Sequence, residues 1–146
     1  MFALPPFRRP ASGRYCLLLL SVVLTGCSRN DGFELVPVQG TVKLDGEPLA
    51  DASVTFQPEL GRPSLGRTDR NGNYDLQYTP EKRGALPGPN KVIISTYVEP
   101  DNDSDDPQIQ AGKAERVPLQ YNRRTQLEVV VEAGKSEPYD FDLQSK

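Results

Sequence analysis

Apolar side chains recur at every second position over much of this chain after residue 36, and this alternation limits what the chain can fold into. In the first such run Val42 and Leu44 fall on one face, while Thr41 and Lys43 fall on the other. A period of two predicts β-strands with one face on a core, whereas an amphipathic helix needs a period of 3.6. The same alternation occurs in four further runs, at residues 53–57, 74–78, 127–131 and 139–143.

One further run is apolar on both faces. Residues 91–98 (KVIISTYV) combine β-branched and aromatic side chains, which predicts a strand in the interior of a sheet. No stretch after residue 36 has helical periodicity, and the prolines of this region fall between the apolar runs. The sequence therefore predicts an all-β protein, a seven-stranded antiparallel β-sandwich with helix limited to about one turn.

Turn residues separate the predicted strands. Asp45-Gly46 follows the first strand and tolerates positive φ, which predicts a tight hairpin there. Ala133-Gly134-Lys135 stands between the last two alternating runs. This turn predicts that residues 127–131 and 139–143 pair with each other as a hairpin.

The beginning of the chain has a different pattern. Arg8, Arg9 and Arg14 precede an apolar run at residues 16–24, which is followed by small residues. This order is typical of a secretory signal peptide. The alternative is an uncleaved transmembrane anchor, but the run is well short of the roughly 20 residues that span a bilayer.

The apolar run ends in Leu24-Thr25-Gly26-Cys27, which resembles the lipobox of bacterial lipoproteins. The resemblance implies that residues 1–26 are removed as a lipoprotein signal peptide and that the Cys27 thiol receives a diacylglyceryl group. Residues 27–35 would then be a tether between the lipid and a domain at 36–144. In many such lipoproteins an Asp directly after the Cys retains the protein at the inner membrane, so Ser28 favours the outer membrane of a bacterial cell envelope.

The composition after residue 26 excludes several kinds of site. The two cysteines are Cys16, which the cut removes, and Cys27, which the lipid occupies, so no disulfide or thiolate metal site is expected. The chain has no His, which is the commonest general base and transition-metal ligand. Loss of the three Arg of residues 1–26 changes the net charge from −3 to −6, which argues against nucleic-acid binding.

Three landmarks resemble those of carboxypeptidase regulatory-like domains. Gly46-Glu47-Pro48-Leu49, followed by Ala52, is similar to the family's "G-x-P-L-x-x-A" turn between two strands. Residues 68–74 (TDRNGNY) are similar to its "T-D-x-x-G-x-Y" hairpin. Residues 86–92 (LPGPNKV) resemble its "L-x-P-G-x-Y-x-V" strand entry, with Asn90 where an aromatic residue often stands. The resemblance covers residues 36–143 and implies a transthyretin-like (prealbumin-like) sandwich.

Two acidic segments suggest cation sites. Residues 69–75 (DRNGNYD) carry oxygen side chains at alternate positions, but the glycine comes too early for a calcium loop, so a hairpin is the better interpretation. An insertion at 99–116 begins with EPDNDSDDP, which is either a binding site for a divalent cation or a basic partner, or a solvated mobile loop. The candidate cation ligands are Asp101, Asp103, Asp105 and Asp106.

No motif predicts catalysis. Without His no nucleophile can be paired with an imidazole base, and neither G-x-S-x-G nor S-x-x-K occurs. Transthyretin-fold enzymes that hydrolyse hydroxyisourate rely on His residues and a C-terminal Tyr-Arg-Gly-Ser signature, both absent here. We expect no enzyme activity, no catalytic residue and no cofactor.

Two functional hypotheses remain. The first is a lipid-anchored, non-catalytic module of the cell envelope with a structural, adhesive or protein-interaction role towards an envelope protein or a glycan. The second is a surface lipoprotein that binds carbohydrate or calcium. A carbohydrate site would need an exposed aromatic platform, and the absence of Trp weakens that hypothesis. The candidate platform residues are Tyr78, Tyr97, Tyr121 and Tyr139.

Overall fold

A computed structural model describes residues 34–135 and 138–146. These residues form two β-sheets, one short α-helix and one 3-10 turn, which confirms the all-β prediction. None of their helices has the length and hydrophobicity needed to cross a bilayer. The elements are β1 (Gln39–Leu44), β2 (Glu47–Pro48), β3 (Ser53–Pro58), β4 (Ser64–Arg67), β5 (Asn73–Asp75), β6 (Gln77–Thr79), β7 (Lys82–Arg83), β8 (Gly88–Ser95), α1 (Pro107–Ala111), the 3-10 turn (Leu119–Tyr121), β9 (Glu128–Val131) and β10 (Phe141–Leu143).

The first sheet is built around β1. Strands β2 and β5 pair with it in antiparallel fashion, and β10 pairs with it in parallel, with Val42 opposite Phe141. The predicted Asp45-Gly46 hairpin is confirmed, since the two residues have φ values of 54° and 85° and join β1 to β2. A two-residue hairpin needs positive φ at both positions, which Asp and Gly tolerate.

The second sheet has the order β7-β6-β4-β3-β8-β9 and is antiparallel throughout. Strand β8 lies between β3 and β9, so the apolar run at 91–98 does supply an interior strand. Val92 and Ile94 face the core and are fully buried. Ile93, on the other face, is only half-buried.

The predicted C-terminal hairpin is wrong. Strand β9 pairs with β8 in the second sheet, whereas β10 pairs with β1 in the first. Val131 and Phe141 are both buried in the core between the sheets. Alternation records which face of a strand is buried, and two strands that bury their faces from opposite sheets carry the same pattern as a hairpin.

Two further details differ from the prediction. The β1–β10 pair is parallel, so the sandwich is not antiparallel throughout. The described residues form ten strands rather than seven. Part of the excess arises because the run at 74–78 divides at Leu76: β5 pairs with β1 in the first sheet, while β6 pairs with β4 in the second.

The core lies between the two sheets and is mostly aliphatic. Phe56 of β3 brings the sheets together, because its ring contacts those of Tyr74, Tyr139 and Phe141 at centroid distances of 5.9 to 6.5 Å. The other fully buried large apolar side chains are Val38, Val42, Leu49, Val54, Leu76, Val92, Ile94, Val131 and Leu143.

The sandwich has two poles, which we call the entry pole and the distal pole. The described chain enters at Val36, whose amide nitrogen donates to the Ala85 oxygen at 3.0 Å, close to where β8 begins. Strand β8 then runs to Ser95, roughly 25 Å away at about 3.3 Å per residue. Residues 96–118 lie at that distal pole together with the 49–52 loop, to which Lys113 is tied by an ion pair with Asp51 at 2.8 Å.

Candidate binding groove

The predicted lipidation site lies outside the described residues. This applies to Cys27 and to the lipobox residues Leu24, Thr25 and Gly26 before it. The lipid anchor therefore stays a prediction from the sequence. The other predicted sites lie within the described part of the chain.

The hairpin interpretation of residues 69–75 is confirmed. Asp69 Oδ1 accepts hydrogen bonds from the backbone nitrogens of Asn71, at 2.8 Å, and Asn73, at 2.9 Å. These bonds lower the pKa of Asp69, and the bond from the Asn73 backbone nitrogen makes the largest contribution. Gly72 supplies the positive φ of 79° that the turn requires. The Asp69 carboxylate thus closes a turn of the backbone.

The acidic insertion folds back on itself at the distal pole. Val98 and Lys113 pair as an isolated bridge, and α1 lies between them. Asp101 Oδ1 accepts from the Asp103 backbone nitrogen at 3.0 Å. Within residues 34–135 and 138–146 no group of three or more His, Cys, Asp or Glu side chains could hold a metal ion. The structure therefore does not assemble the four candidate ligands, Asp101, Asp103, Asp105 and Asp106, into a cation site.

Three of the four candidate tyrosines are engaged elsewhere. The Tyr78 ring lies under Arg62, with the guanidinium carbon 5.7 Å from its centroid. The Tyr121 hydroxyl accepts from the Gln144 nitrogen at 3.3 Å, and the Tyr139 hydroxyl donates to the Val130 oxygen at 3.2 Å. Tyr97 differs, because 49% of it is exposed. Only Tyr97 is therefore placed as an aromatic surface for a ligand among these four.

Tyr97 belongs to an open groove of about 750 Å³ at the distal pole. Alternate residues of β8 and its continuation project outward from the second sheet, and the 3-10 turn packs beside β8 as a wall. Leu119, on that turn, is 51% exposed. We call this the distal groove; its lining residues are Ile93, Ser95, Tyr97, Ala114, Glu115, Leu119, Asn122 and Arg123.

Glu115 is the most constrained charged side chain of the distal groove. Its Oε1 accepts three hydrogen bonds at 2.9 Å, from the Thr96 nitrogen, the Thr96 hydroxyl and the Val117 nitrogen. Its Oε2 accepts one, from the Ser95 hydroxyl. Burial alone would raise the pKa of Glu115, but these bonds together hold it below its ordinary value. The groove therefore contains an ionised carboxylate of fixed orientation.

The backbone beyond the 3-10 turn is held by Asn122, which is buried. Its Nδ2 donates to the Val117 oxygen at 2.9 Å, and its Oδ1 accepts from the Arg123 nitrogen. Arg123 follows directly and lines the groove. No ion pair of Arg123 or Glu115 is found among the described residues. The groove thus combines one anionic and one cationic side chain that do not neutralise each other by contact.

A second groove, of about 860 Å³, lies where β4 meets β5. Its charged groups are already paired: Arg83 contacts Asp75 at 2.8 Å, and Arg67 lies 3.8 Å from Asp51. Asp69, which also lines it, closes the hairpin described above. This groove therefore offers fewer unsatisfied groups to a ligand than the distal groove does.

No protein-family model matches this sequence, and no curated protein or solved structure is significantly similar to it. The resemblance to carboxypeptidase regulatory-like domains thus stays a prediction from three short motifs. The function of the chain must be argued from the site itself.

Proposed function

We propose that this protein is a lipid-anchored, non-catalytic module of the bacterial cell envelope, with a transthyretin-like sandwich that recognises a partner through its distal groove. One observation carries the proposal. The groove, with its exposed Tyr97 and Leu119, lies at the pole opposite Val36, where the chain enters the domain. An anchor at the start of the chain would leave that groove facing away from the membrane.

The length of the tether supports this arrangement. Eight residues, 28–35, separate Cys27 from Val36, and an extended chain covers at most about 3.6 Å per residue, so the nine steps from Cys27 to Val36 reach roughly 30 Å. The domain would therefore stay within about its own length of the lipid. The entry pole would be its nearer end.

The charge of the distal pole supports the same orientation. The segment 99–106 carries five acidic side chains and no basic one. Bacterial membrane surfaces are anionic, and like charges repel across about one Debye length, roughly 8 Å at physiological salt. The acidic segment would therefore favour orientations in which the distal pole points outward.

The chemistry of the groove favours recognition over catalysis. Ser95 donates its hydroxyl hydrogen bond to Glu115, which is the one arrangement in the groove that could resemble a nucleophile with a base. A general base works best when its pKa lies near the operating pH. The lowered pKa of Glu115 makes it a weak base at neutral pH. A preorganised carboxylate of this kind is suited to accepting hydrogen bonds from a ligand.

The lipid anchor is tested by metabolic labelling with radioactive palmitate. The full chain should incorporate label, and Cys27→Ala should not. Cys16→Ala is the matched control, because it removes the other cysteine of the chain and should leave labelling unchanged. Equal labelling of the wild type and Cys27→Ala would overturn the anchor.

Recognition through the distal groove is tested by a photo-crosslinking amino acid in the anchored protein in intact cells. Position 119 should give a discrete adduct under light. Leu65 is the matched control, because it is 52% exposed, like Leu119 at 51%, and lies outside the groove on β4. Adducts of equal yield at both positions, or none at position 119, would contradict the proposal.

A further inference from the structure

We propose that the distal groove binds an uncharged saccharide, with the sugar ring against Tyr97 and its hydroxyl groups on Glu115 and Arg123. The proposal rests on the proposed function in that it names the ligand class of the same groove. It does not depend on the lipid anchor. Three features of the groove fit such a ligand: an apolar surface, two side chains with opposite hydrogen-bonding capacities, and the charges around them.

The first feature is the apolar surface that Tyr97, Leu119 and Ile93 contribute to the groove. About half of Tyr97 and of Leu119 is exposed in the folded chain, and Ile93 lines the same groove from the outer face of β8. A tyrosine ring offers a large rigid contact area at low conformational cost, and its hydroxyl remains available for hydrogen bonding. The C–H face of a pyranose ring has the matching chemistry, because it is apolar while the ring edge carries hydroxyl groups.

The second feature is a pair of side chains, Glu115 and Arg123, with opposite hydrogen-bonding capacities. The ionised Glu115 can only accept hydrogen bonds, and Arg123 can only donate them. Glu115 Oε2 receives a single bond, from Ser95, so it keeps capacity for a ligand donor. A ligand that satisfies both residues must donate and accept within one groove. A hydroxyl group does both, and vicinal hydroxyls of a sugar do so in a fixed geometry.

The third feature is the mixture of positive and negative charges around the groove, which disfavours ionic ligands. A basic peptide would find Glu115 but would also meet Arg123, with Arg124 next to it in the chain. An acidic peptide would meet Glu115 and the acidic segment 99–106 at the same pole. Unfavourable juxtaposition of like charges selects against both kinds of partner. A neutral, polyhydroxylated ligand meets neither penalty.

The groove is also preorganised for such a ligand. Four hydrogen bonds fix the Glu115 carboxylate before any ligand arrives, and buried Asn122 fixes the backbone that carries Arg123. Ordering side chains on binding costs free energy, so groups already held in place raise the affinity of a weakly interacting ligand. The volume of about 750 Å³ is in the range of small-molecule sites and has room for an oligosaccharide.

The test is calorimetric titration of the full chain, purified in a zwitterionic detergent because sugar-based detergents would compete. The probes are neutral tetra- and hexasaccharides of glucose, N-acetylglucosamine, mannose and xylose, with hexalysine and hexaglutamate as charged comparison ligands. At least one saccharide should bind. Tyr97→Ala and Arg123→Ala should each weaken that binding roughly tenfold or more, which corresponds to the loss of one central contact.

Matched controls keep the test decisive. Leu65→Ala removes an equally exposed apolar side chain outside the groove and should leave saccharide binding unchanged. Tyr97→Phe keeps the ring and should retain most of the affinity. The proposal is overturned if no saccharide binds at millimolar concentration, if Tyr97→Ala and Leu65→Ala bind equally well, or if either charged peptide binds more tightly than every saccharide. Palmitate labelling reports the anchor, and crosslinking at position 119 reports whether the groove is occupied at all, so a failure of saccharide binding is distinguishable from a failure of the proposed function.

Discussion

The buried hydroxyl of Tyr74, on β5, donates a hydrogen bond of 2.7 Å to the backbone oxygen of Tyr139, which lies on the other side of β1. Tyr74 is paired with Gly40 of β1, so its side chain reaches Tyr139 across a residue that has no side chain of its own. A Cβ at Gly40 would lie 2.0 Å from the Tyr139 oxygen. The Tyr74 side chain thus links β5 to the segment before β10 across β1, and glycine at position 40 leaves room for the Tyr139 backbone beside β1.

The first prediction concerns this hydrogen bond. Tyr74→Phe keeps the ring in the core but removes the donor, so the free energy of unfolding should fall by about 1 kcal/mol. Urea denaturation followed by circular dichroism measures the change. Tyr97→Phe is the control, because Tyr97 is half-exposed and outside the core, and its effect should stay within about 0.5 kcal/mol. Equal losses in the two variants would show that the bond contributes nothing.

The second prediction concerns Gly40. Its φ is ordinary, so Gly40→Ala acts by overlap of the new methyl group with the Tyr139 backbone and not by backbone strain. Overpacking of this kind costs about 1–3 kcal/mol or more, and the same urea denaturation measures it. Gly66→Ala is a graded comparison, because its Cβ would lie 2.8 Å from the Asp75 oxygen and should cost less. A smaller loss for Gly40→Ala than for Gly66→Ala would contradict this account.

The sequence predicts the faces of the strands better than their partners. Val42, Val54 and Phe56 are buried as the alternation indicates, while Lys43 and Gln57 are exposed. The pairing of Val42 with Phe141, which is about one hundred residues later in the sequence, has no local signal. The same period of two therefore predicts a hairpin between β9 and β10, and the structure does not form it.

The distal groove was predictable only in part. Tyr97 stands among four tyrosines of similar sequence context, and only the fold separates it from the three whose rings are engaged elsewhere. Glu115 was missed, because it lies in a polar stretch and its partners Ser95 and Thr96 are about twenty residues earlier. The one local sign is Val117, a single apolar residue after a long polar segment, which indicates that the chain returns to the core there.

The third prediction concerns Asn90, a polar residue in the interior of the described domain. Asn90 is buried, and its Nδ2 donates to the oxygens of Leu86, at 3.0 Å, and Gly88, at 2.9 Å. Asn90→Asp places a carboxylate against two acceptors, which should cost about 3 kcal/mol or more at neutral pH. Burial would raise the folded-state pKa of the new carboxyl, so the loss should shrink as the pH falls towards the unfolded-state pKa of about 3.9.

Urea denaturation at pH 7 and at pH 4 measures both parts of this prediction. Asn71→Asp is the matched control, because Asn71 is exposed at the tip of a hairpin and makes its hydrogen bond through the backbone. Asn71→Asp should change the free energy of unfolding little at either pH. A loss in Asn90→Asp that is independent of pH would show that the new carboxyl is not buried in its charged form.

The fourth prediction follows from the lowered pKa of Glu115. Because its folded-state pKa is below the ordinary value of 4.5, the stabilisation from its hydrogen bonds is fully present above that value and is lost as the pH falls through the folded-state pKa. The amide nitrogens of Thr96 and Val117, which donate to this carboxylate, report the titration directly. Their NMR shifts should change with a common midpoint below 4.5.

In Glu115→Gln, which has no titrating carboxyl at this position, neither shift should follow that curve, and the free energy of unfolding at pH 7 should be about 1 kcal/mol lower. Midpoints above 4.5 would mean that desolvation outweighs the four hydrogen bonds, which would contradict this prediction.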